Sequence, residues 1–151
     1  MDPTRSTYSV AADWTSGRSG ITRAAGIEAS IRFSSPPEFQ GEPGFWTPEH
    51  FLVAAVASCF IATFAALADR ANVSFGRLEL SVEGKLDKID GQLRFAEMIL
   101  RPSLTVFQNK DRERAYRLLE RTEHGCLIAR SLNCPVLMEP LVQAAEDVLA
   151  I

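Results

Sequence analysis

Three cysteines, Cys59, Cys126 and Cys134, are the residues of this 151-residue chain whose side chains could do redox chemistry. Cys59 lies among small residues such as Ala55 and Ala62, so another backbone could approach its sulfur closely, although a free cysteine there could also be core packing. Cys126 stands at a predicted helix start, where unpaired backbone N–H groups favour a thiolate. Cys134 is more typical of a structural cysteine. Three thiols in an apparently cytosolic chain suit catalysis better than a disulfide framework.

The element that carries Cys59 is predicted to be one long helix. Thr47-Pro48-Glu49 supplies an N-cap hydroxyl, a proline at the first helical position and a first-turn carboxylate, so the helix should run from there to about Ala71, where Asn72 stops it. Its segment 51–68 is uncharged and long enough to cross a membrane, but seven of its residues are alanines. A buried central helix explains this composition better than a membrane span.

Strand patterns lie on both sides of this helix. Strands are predicted over Thr7 to Trp14, Gly26 to Phe33 and Val136 to Val142, and a hairpin over 78–107 that turns at Asp90-Gly91. The segment Ser34 to Gly44, rich in proline and glycine, is predicted as a loop, and Gly17 to Gly20 as a turn. Pro102 is expected to break or bulge the second hairpin strand, or to put it at a sheet edge.

Two further helices are predicted after the hairpin. Asn109 can cap the first, Gly125 can end it as a C′ residue, and a short helix should follow over Cys126 to Leu132. The first of these helices buries one face, formed by Ala115, Leu118, Leu119 and Thr122. The sum is an α+β fold, predicted as a single domain over 1–151.

Composition limits the possible partners. The formal net charge is −3 and the pI about 5.4, which argues against nucleic acid as the main partner. The arginine-rich segment 112–121 is offset by acidic neighbours and is interpreted as a solvated helix face. The segment Met1 to Val10 lacks the apolar core of a secretory signal, so we expect a cytoplasmic protein that does not bind membranes.

The segment Thr47 to Cys59, TPEHFLVAAVASC, resembles the OsmC/Ohr family of bacterial peroxide-detoxifying proteins. In that family a proline and a glutamate open the central helix, and the peroxidatic cysteine lies ten residues after the glutamate, as Cys59 does after Glu49. Cys126 falls where the family has its resolving cysteine. The proline that commonly follows the family's resolving cysteine is replaced here by Leu127, and Cys134 is the cysteine followed by proline, so either could resolve.

The resemblance covers nearly the whole chain in order and spacing, and it implies a fold and an activity. The fold would be OsmC-like, with antiparallel sheets around a buried central helix in an intertwined homodimer whose sites lie at the subunit interface. The activity would be a thiol-dependent peroxidase that needs no cofactor and reduces organic hydroperoxides, with hydrogen peroxide as a second candidate. Cys59 would become a sulfenic acid, Cys126 would condense with it, and an external dithiol would reduce the disulfide.

An activated thiol needs a nearby cation, because burial alone would raise the pKa of Cys59. The turn 16–20 resembles the family's N-terminal turn, whose arginine contacts the active thiol, which makes Arg18 the candidate. Glu49 could orient Arg18. Ten residues of helix rise by about 15 Å, so Glu49 cannot touch Cys59 within one straight helix. Either Arg18 bridges them, or Glu49 acts in the other subunit's site.

A substrate pocket for a hydrophobic hydroperoxide is predicted from nearby aromatic residues, which could equally be plain core. These residues are Phe45, Trp46, Phe51, Phe60 and Phe64. One alternative function is a non-catalytic OsmC-like module that binds a small hydrophobic ligand. A metal site built from His50, Cys59, His124 and Cys126 is disfavoured because no paired ligand spacing occurs, and a general disulfide oxidoreductase because no C-x-x-C occurs.

Overall fold

The computed structural model describes residues 4–149, so Met1 to Pro3 of the polar N-terminal segment lie outside the described residues. The chain divides into two compact units, one ending at Phe51 and one beginning at Leu52. The boundary falls inside the first helix. The α+β class is confirmed.

The first unit contains an antiparallel sheet of order β1-β2-β3. Its strands are β1 (Val10–Ser16), β2 (Ser19–Ala24) and β3 (Ile31–Ser34), and a 3₁₀ turn follows at Pro37–Phe39. The predicted turn is confirmed, since Gly17 and Arg18 join β1 to β2 and Gly17 has a φ of 53°. The strand predicted from Gly26 is wrong in extent, because Gly26 has a φ of 77° and pairing starts only at Ile31. The preceding strand, β2, was not predicted.

The long helix α1 (Pro48–Arg70) confirms the predicted one. Its start is held by reciprocal bonds: the backbone N–H of His50 donates to Thr47 Oγ1 at 3.1 Å, and the backbone N–H of Thr47 donates to His50 Nδ1 at 3.1 Å. This is a capping box in which histidine replaces the usual glutamate or glutamine. After its end, Asn72 adopts a left-handed φ of 52°, which stops the helix as predicted.

The second unit is built on a mixed sheet. The long hairpin strands β4 (Phe75–Ile89) and β5 (Gln92–Val106) pair antiparallel, and Asp90 and Gly91 turn between them with φ values of 51° and 78°. The single last strand predicted over Val136 to Val142 is wrong. Two short strands, β6 (Val136–Met138) and β7 (Leu141–Ala144), each pair parallel to β5, so this sheet is not purely antiparallel.

Pro102 does not bulge β5. It pairs with Leu80 in a continuous register. The register shifts lie instead at Gly76 on β4 and at Ala96 on β5, the latter between the pairs Lys85↔Glu97 and Leu86↔Phe95. On its other side, β5 pairs with β6 over residues 98–100 and with β7 over residues 103–106. Pro102 falls in the gap between these two partners, where a missing backbone N–H breaks no ladder bond to either short strand.

The remaining helices are α2 (Arg112–Gly125), α3 (Leu127–Arg130) and α4 (Ala145–Leu149). The predicted buried face of α2 is confirmed, since Ala115, Leu118, Leu119 and Thr122 are all buried. Asn109 does not cap α2: it opens a 3₁₀ turn, Asn109–Asp111, and Asp111 is the N-cap. Gly125 is not a left-handed C′ residue but the last helical residue, and Cys126 joins α2 to α3.

One face of α1 forms the centre of the second unit's core. Val56, Phe60, Phe64 and Ala68 are buried against residues of β5, α2 and β7. α1 approaches β4 so closely that a Cβ on Gly84 would lie 2.9 Å from Val53 Cγ2. By length and composition α1 could also cross a membrane, with a mean hydropathy of 2.4. Within a single chain its opposite face, including Ser58, Ile61, Ala62 and Ala66, is exposed.

Candidate functional site: a pair of thiols

Cys59 lies half-buried on α1, one turn before Thr63. Its Sγ is 3.9 Å from Thr63 Oγ1, a distance at which the hydroxyl can donate to the sulfur. The spacing of four residues makes this contact a consequence of helix geometry alone.

The environment of Cys59 favours its thiolate. Burial raises the pKa of the Cys59 thiol, but this effect is outweighed by the backbone N–H of Ile128, by the thiol of Cys126, by the Thr63 hydroxyl and by the backbone N–H of Leu127. The net result is a pKa below the ordinary value of a cysteine. All these groups belong to the second unit, and two are amides of the first turn of α3, whose N–H groups have no helical acceptor.

Cys126 is fully buried and is the N-cap residue of α3, with an extended backbone (φ −68°, ψ 109°). Burial raises the pKa of Cys126, the backbone N–H of Ala129 lowers it, and the adjacent Cys59 raises it again through hydrogen bonding and charge. The net pKa is raised. The prediction that the helix start lowers the pKa of Cys126 is therefore wrong, because burial and the neighbouring sulfur outweigh the α3 amides.

Cys134 is half-buried, and like the other two cysteines it is a free thiol. It packs against the edge of the core and lines a hollow of about 210 Å³ together with Leu52, Arg94 and Phe95. Cys134 is not among the main groups that shift the pKa of Cys59 or of Cys126. The tertiary structure thus brings together Cys59 and Cys126.

Arg18 and Glu49 both belong to the first unit. The guanidinium of Arg18 donates to Gln40 Oε1 at 2.9 Å rather than to Glu49. Gln40 has a left-handed φ of 65°. Within residues 4–149, Oε2 of Glu49 is buried and has no hydrogen-bond partner. A buried carboxylate oxygen without a donor is unfavourable, so Glu49 has an unused acceptor at this position.

The five aromatic residues of the predicted pocket lie in two settings. Phe45 and Trp46 line a cleft of about 310 Å³ together with Gly44 and His50. Trp46 stacks on Phe51, with ring centroids 5.9 Å apart. Phe60 and Phe64 have no exposed surface and belong to the core of the second unit, so they pack the fold rather than line an open cleft.

The sequence analysis assigned no role to four residues that contribute to these sites. Thr63 carries a usable signal, because it lies four residues after Cys59 on the same helix. The backbone amides of Leu127 and Ile128 have no signal in the sequence, because almost every residue has a backbone N–H. Only the fold directs these two amides at Cys59. Gln40, the partner of Arg18, also has no local signal. Among residues 4–149, no cluster of three or more His, Cys, Asp or Glu side chains could hold a metal ion.

Known structures share this fold across almost the whole chain. An OsmC-like protein from Vibrio cholerae O1 aligns with a TM-score of 0.82 and 19% identity, covering 91% of this chain and 100% of that one. An organic hydroperoxide resistance protein from Elizabethkingia anophelis aligns with a TM-score of 0.74 and 17% identity over 94% and 99% of the two chains. OhrB of Bacillus subtilis, also an organic hydroperoxide resistance protein, aligns with a TM-score of 0.66 and 21% identity over 91% and 98%.

Comparisons of the amino-acid sequence agree with the structural comparisons. YmaD of Bacillus subtilis (strain 168) is 25% identical over 125 residues, which cover 81% of this chain and 83% of YmaD. The model of the family described as OsmC-like protein matches residues 41–140. The match begins in the loop before α1 and ends just after β6. This match includes both members of the thiol pair and more than half of the chain, and the chain therefore belongs to the OsmC-like protein family.

Proposed function

We propose that this protein is a thiol-dependent peroxidase that reduces organic hydroperoxides, with Cys59 as the attacking and Cys126 as the resolving cysteine. The two thiols lie close enough to shift each other's pKa, so that the pKa of Cys59 is lowered and that of Cys126 is raised, and this pairing supports the proposal. A peroxidatic cysteine must be a thiolate while its resolving partner stays available as a thiol. Relatives of similar fold are named organic hydroperoxide resistance proteins.

In the first step, the Cys59 thiolate attacks the terminal oxygen of the hydroperoxide. The O–O bond breaks, an S–O bond forms, and the alkoxide takes a proton and leaves as the alcohol. The sulfur is oxidised by two electrons to a sulfenic acid. The amides of Leu127 and Ile128 hold the thiolate before this step and offer hydrogen bonds to the sulfur during it.

In the second step, Cys126 loses its proton and attacks the Cys59 sulfur. An S–S bond forms and hydroxide leaves as water, which gives a Cys59–Cys126 disulfide. Cys126 is completely buried, so peroxide reaches Cys59 more readily than Cys126. An external dithiol then reduces the disulfide and restores both thiols.

Arg18 and Glu49 are proposed to assist Cys59. A guanidinium beside the thiolate would lower its pKa further, and a carboxylate would hold that guanidinium in place. The unused buried oxygen of Glu49 is an acceptor available to such a donor, and the exposed Gln40 is the partner that Arg18 would give up. The aromatic cleft formed by Phe45 and Trp46 is proposed to receive the organic part of the hydroperoxide.

The working form is proposed to be a cytoplasmic homodimer. The face of α1 that carries Ala62 and Ala66 is apolar, small and exposed in the single chain, and a second copy would cover it. No other partner is needed for the peroxidase cycle apart from the peroxide and the reductant.

Steady-state turnover of cumene hydroperoxide, compared with hydrogen peroxide and supported by dithiothreitol, tests the function. We expect turnover that prefers the organic peroxide, and at least about a hundredfold loss in Cys59→Ser, because an alcohol is too weak an acid to supply the nucleophile. Cys134→Ser is the matched control and should keep wild-type turnover. A wild-type protein that binds cumene hydroperoxide without consuming it would instead favour the alternative, a non-catalytic module for small hydrophobic ligands.

A further inference from the structure

The aromatic cleft at the start of α1 lies entirely within the first unit. It has a volume of about 310 Å³ and is lined by Gly44, Phe45, Trp46 and His50. Sites for small molecules measure roughly 300–1,000 Å³ and combine apolar walls with a few polar groups. This cleft is at the small end of that range, so it suits a single ring better than an extended chain.

The aromatic wall of the cleft is fixed by its neighbours in the first unit. The backbone N–H of Ser34 donates to the backbone oxygen of Trp46 at 2.9 Å. The indole ring stacks on Phe51, with ring centroids 5.9 Å apart and the planes inclined by 10°. The ring of His50 meets the indole edge to face, with centroids 6.0 Å apart. Rings in these arrangements attract each other, so the wall is pre-formed for a further flat ring.

His50 presents a hydrogen-bond donor because of the way it caps α1. Its Nδ1 accepts the backbone N–H of Thr47 at 3.1 Å, and a backbone N–H can only donate. Nδ1 therefore has no hydrogen, and the neutral ring carries its hydrogen on Nε2. A glutamate, the usual residue at this place in a capping box, would cap the helix equally well but would leave only an acceptor. Histidine caps the helix and keeps an N–H for the cleft.

The side chains of the cleft offer donors and no acceptor. Within residues 4–149, neither Nε2 of His50 nor Nε1 of Trp46 has a hydrogen-bond partner. Arg32 adds a positive charge at the edge of the cleft, because its guanidinium lies 6.0 Å from the centroid of the Phe45 ring and has no acidic partner in this part of the chain. A carboxylate complements this set, since it accepts hydrogen bonds and carries negative charge.

We propose that this cleft selects, among organic hydroperoxides, aromatic ones that carry a carboxylate, and that His50 determines this specificity; the inference rests on the peroxidase function proposed above. The ring of the substrate packs against the indole, and its carboxylate accepts hydrogen bonds from Nε2 of His50 and Nε1 of Trp46. The protein carboxylates nearest in sequence, those of Glu42 and Glu49, do not line the cleft. A long aliphatic chain has no ring to pack against the indole.

Binding of the reaction products tests the cleft without any turnover. Cumyl alcohol is the product of cumene hydroperoxide, and its para-carboxylated analogue is the product of the para-carboxylated hydroperoxide. Neither alcohol can oxidise Cys59, so isothermal titration calorimetry measures binding alone. We expect the wild type to bind the carboxylated alcohol about tenfold or more tightly than the neutral one, because hydrogen bonds to a charged acceptor are the stronger ones.

His50→Gln removes the ring N–H and keeps the cap, since glutamine is a usual capping-box residue at this position. In this variant the preference for the carboxylated alcohol should fall about fivefold or more, while the midpoint of thermal unfolding shifts by less than about 4 °C. Arg32→Gln should lower the same preference. Arg5→Gln is its matched control, because it removes an equal charge from an exposed arginine of the same unit that does not line the cleft.

Turnover then shows whether the cleft serves the reaction. With dithiothreitol as reductant, kcat/KM for the para-carboxylated hydroperoxide should exceed that for cumene hydroperoxide, and His50→Gln should remove this difference through KM. Equal binding of the two alcohols by the wild type, a preference that survives in His50→Gln, or a preference in binding that is absent from turnover would overturn the proposal. So would faster turnover of linoleic acid hydroperoxide than of the carboxylated aromatic one, in both the wild type and His50→Gln. His50-dependent binding in a protein that consumes no peroxide would support the ligand class of the cleft and refute the peroxidase function alone.

Discussion

Cys59 and Cys126 lie close enough for each thiol to shift the pKa of the other, and the two pKa values move in opposite directions. Burial raises both, but at Cys59 it is outweighed by the α3 amides and the Cys126 thiol, whereas at Cys126 the neighbouring Cys59 adds to the rise. As the pH rises, Cys59 therefore loses its proton before Cys126 does. This order supports the proposed roles of Cys59 as the attacking and Cys126 as the resolving cysteine.

The first prediction concerns the disulfide that forms. One equivalent of cumene hydroperoxide should link Cys59 to Cys126, because these two thiols are near enough to shift each other's pKa and a disulfide needs Cα atoms within about 7 Å. Cys134 should stay free and become alkylatable after denaturation. Peptide mapping of the alkylated protein gives the answer, and a Cys59–Cys134 link would transfer the resolving role to the cysteine that precedes proline.

The second prediction uses the position where this chain departs from the family pattern. Leu127 is the first residue of α3, is 68% exposed and supplies one of the amides that lower the pKa of Cys59. Leu127→Pro removes that N–H at a position where helices accept proline, so the fold should persist while the pKa of Cys59 rises. Since the thiolate forms as pH rises through the pKa, alkylation near pH 7 should slow by about two- to tenfold.

The matched control is Leu127→Ala, which truncates the same side chain but keeps the N–H. It should leave the pH profile of iodoacetamide alkylation unchanged. If the proline and alanine variants have the same profile, the Leu127 amide does not stabilise the thiolate.

A third prediction addresses Arg18. Arg18→Ala should raise the pKa of Cys59 and slow the reaction with peroxide at pH 7 by about tenfold or more, because a cation beside a thiolate stabilises it. Gln40→Ala serves as the comparison, since it removes only the partner that Arg18 has in the structure and should not slow the reaction. An unchanged pH profile for alkylation in Arg18→Ala would exclude this role.

The last prediction concerns assembly. Ala62 lies on the exposed face of α1, and Ala62→Arg should weaken the proposed homodimer by about a hundredfold or more, because it buries an unpaired charge. Ala25→Arg, at an exposed alanine in the turn after β2, is the control and should sediment like the wild type. A wild-type protein that stays monomeric at micromolar concentration in sedimentation velocity would contradict the dimer.

Features with a local cause were determined by the sequence alone. The start of α1 follows from Thr47-Pro48, its end from Asn72, and the hairpin from Asp90-Gly91, because caps and turns depend on a few neighbouring residues. The buried face of α2 follows from helical periodicity, which needs only a window of the sequence. The resemblance in the segment Thr47 to Cys59 gave the family for the same reason, since it is a contiguous motif.

Features that depend on residues far apart in the sequence were decided only by the tertiary structure. Pro102 is accommodated because β6 and β7, more than thirty residues away in sequence, leave a gap beside it. Cys126 was expected to be the more acidic thiol from its place at a helix start, but burial and the neighbouring Cys59 reversed this. The α3 amides instead serve Cys59, which approaches from another helix. A pKa depends on the atoms around a group, and chain folding brings those atoms from positions that no local pattern connects.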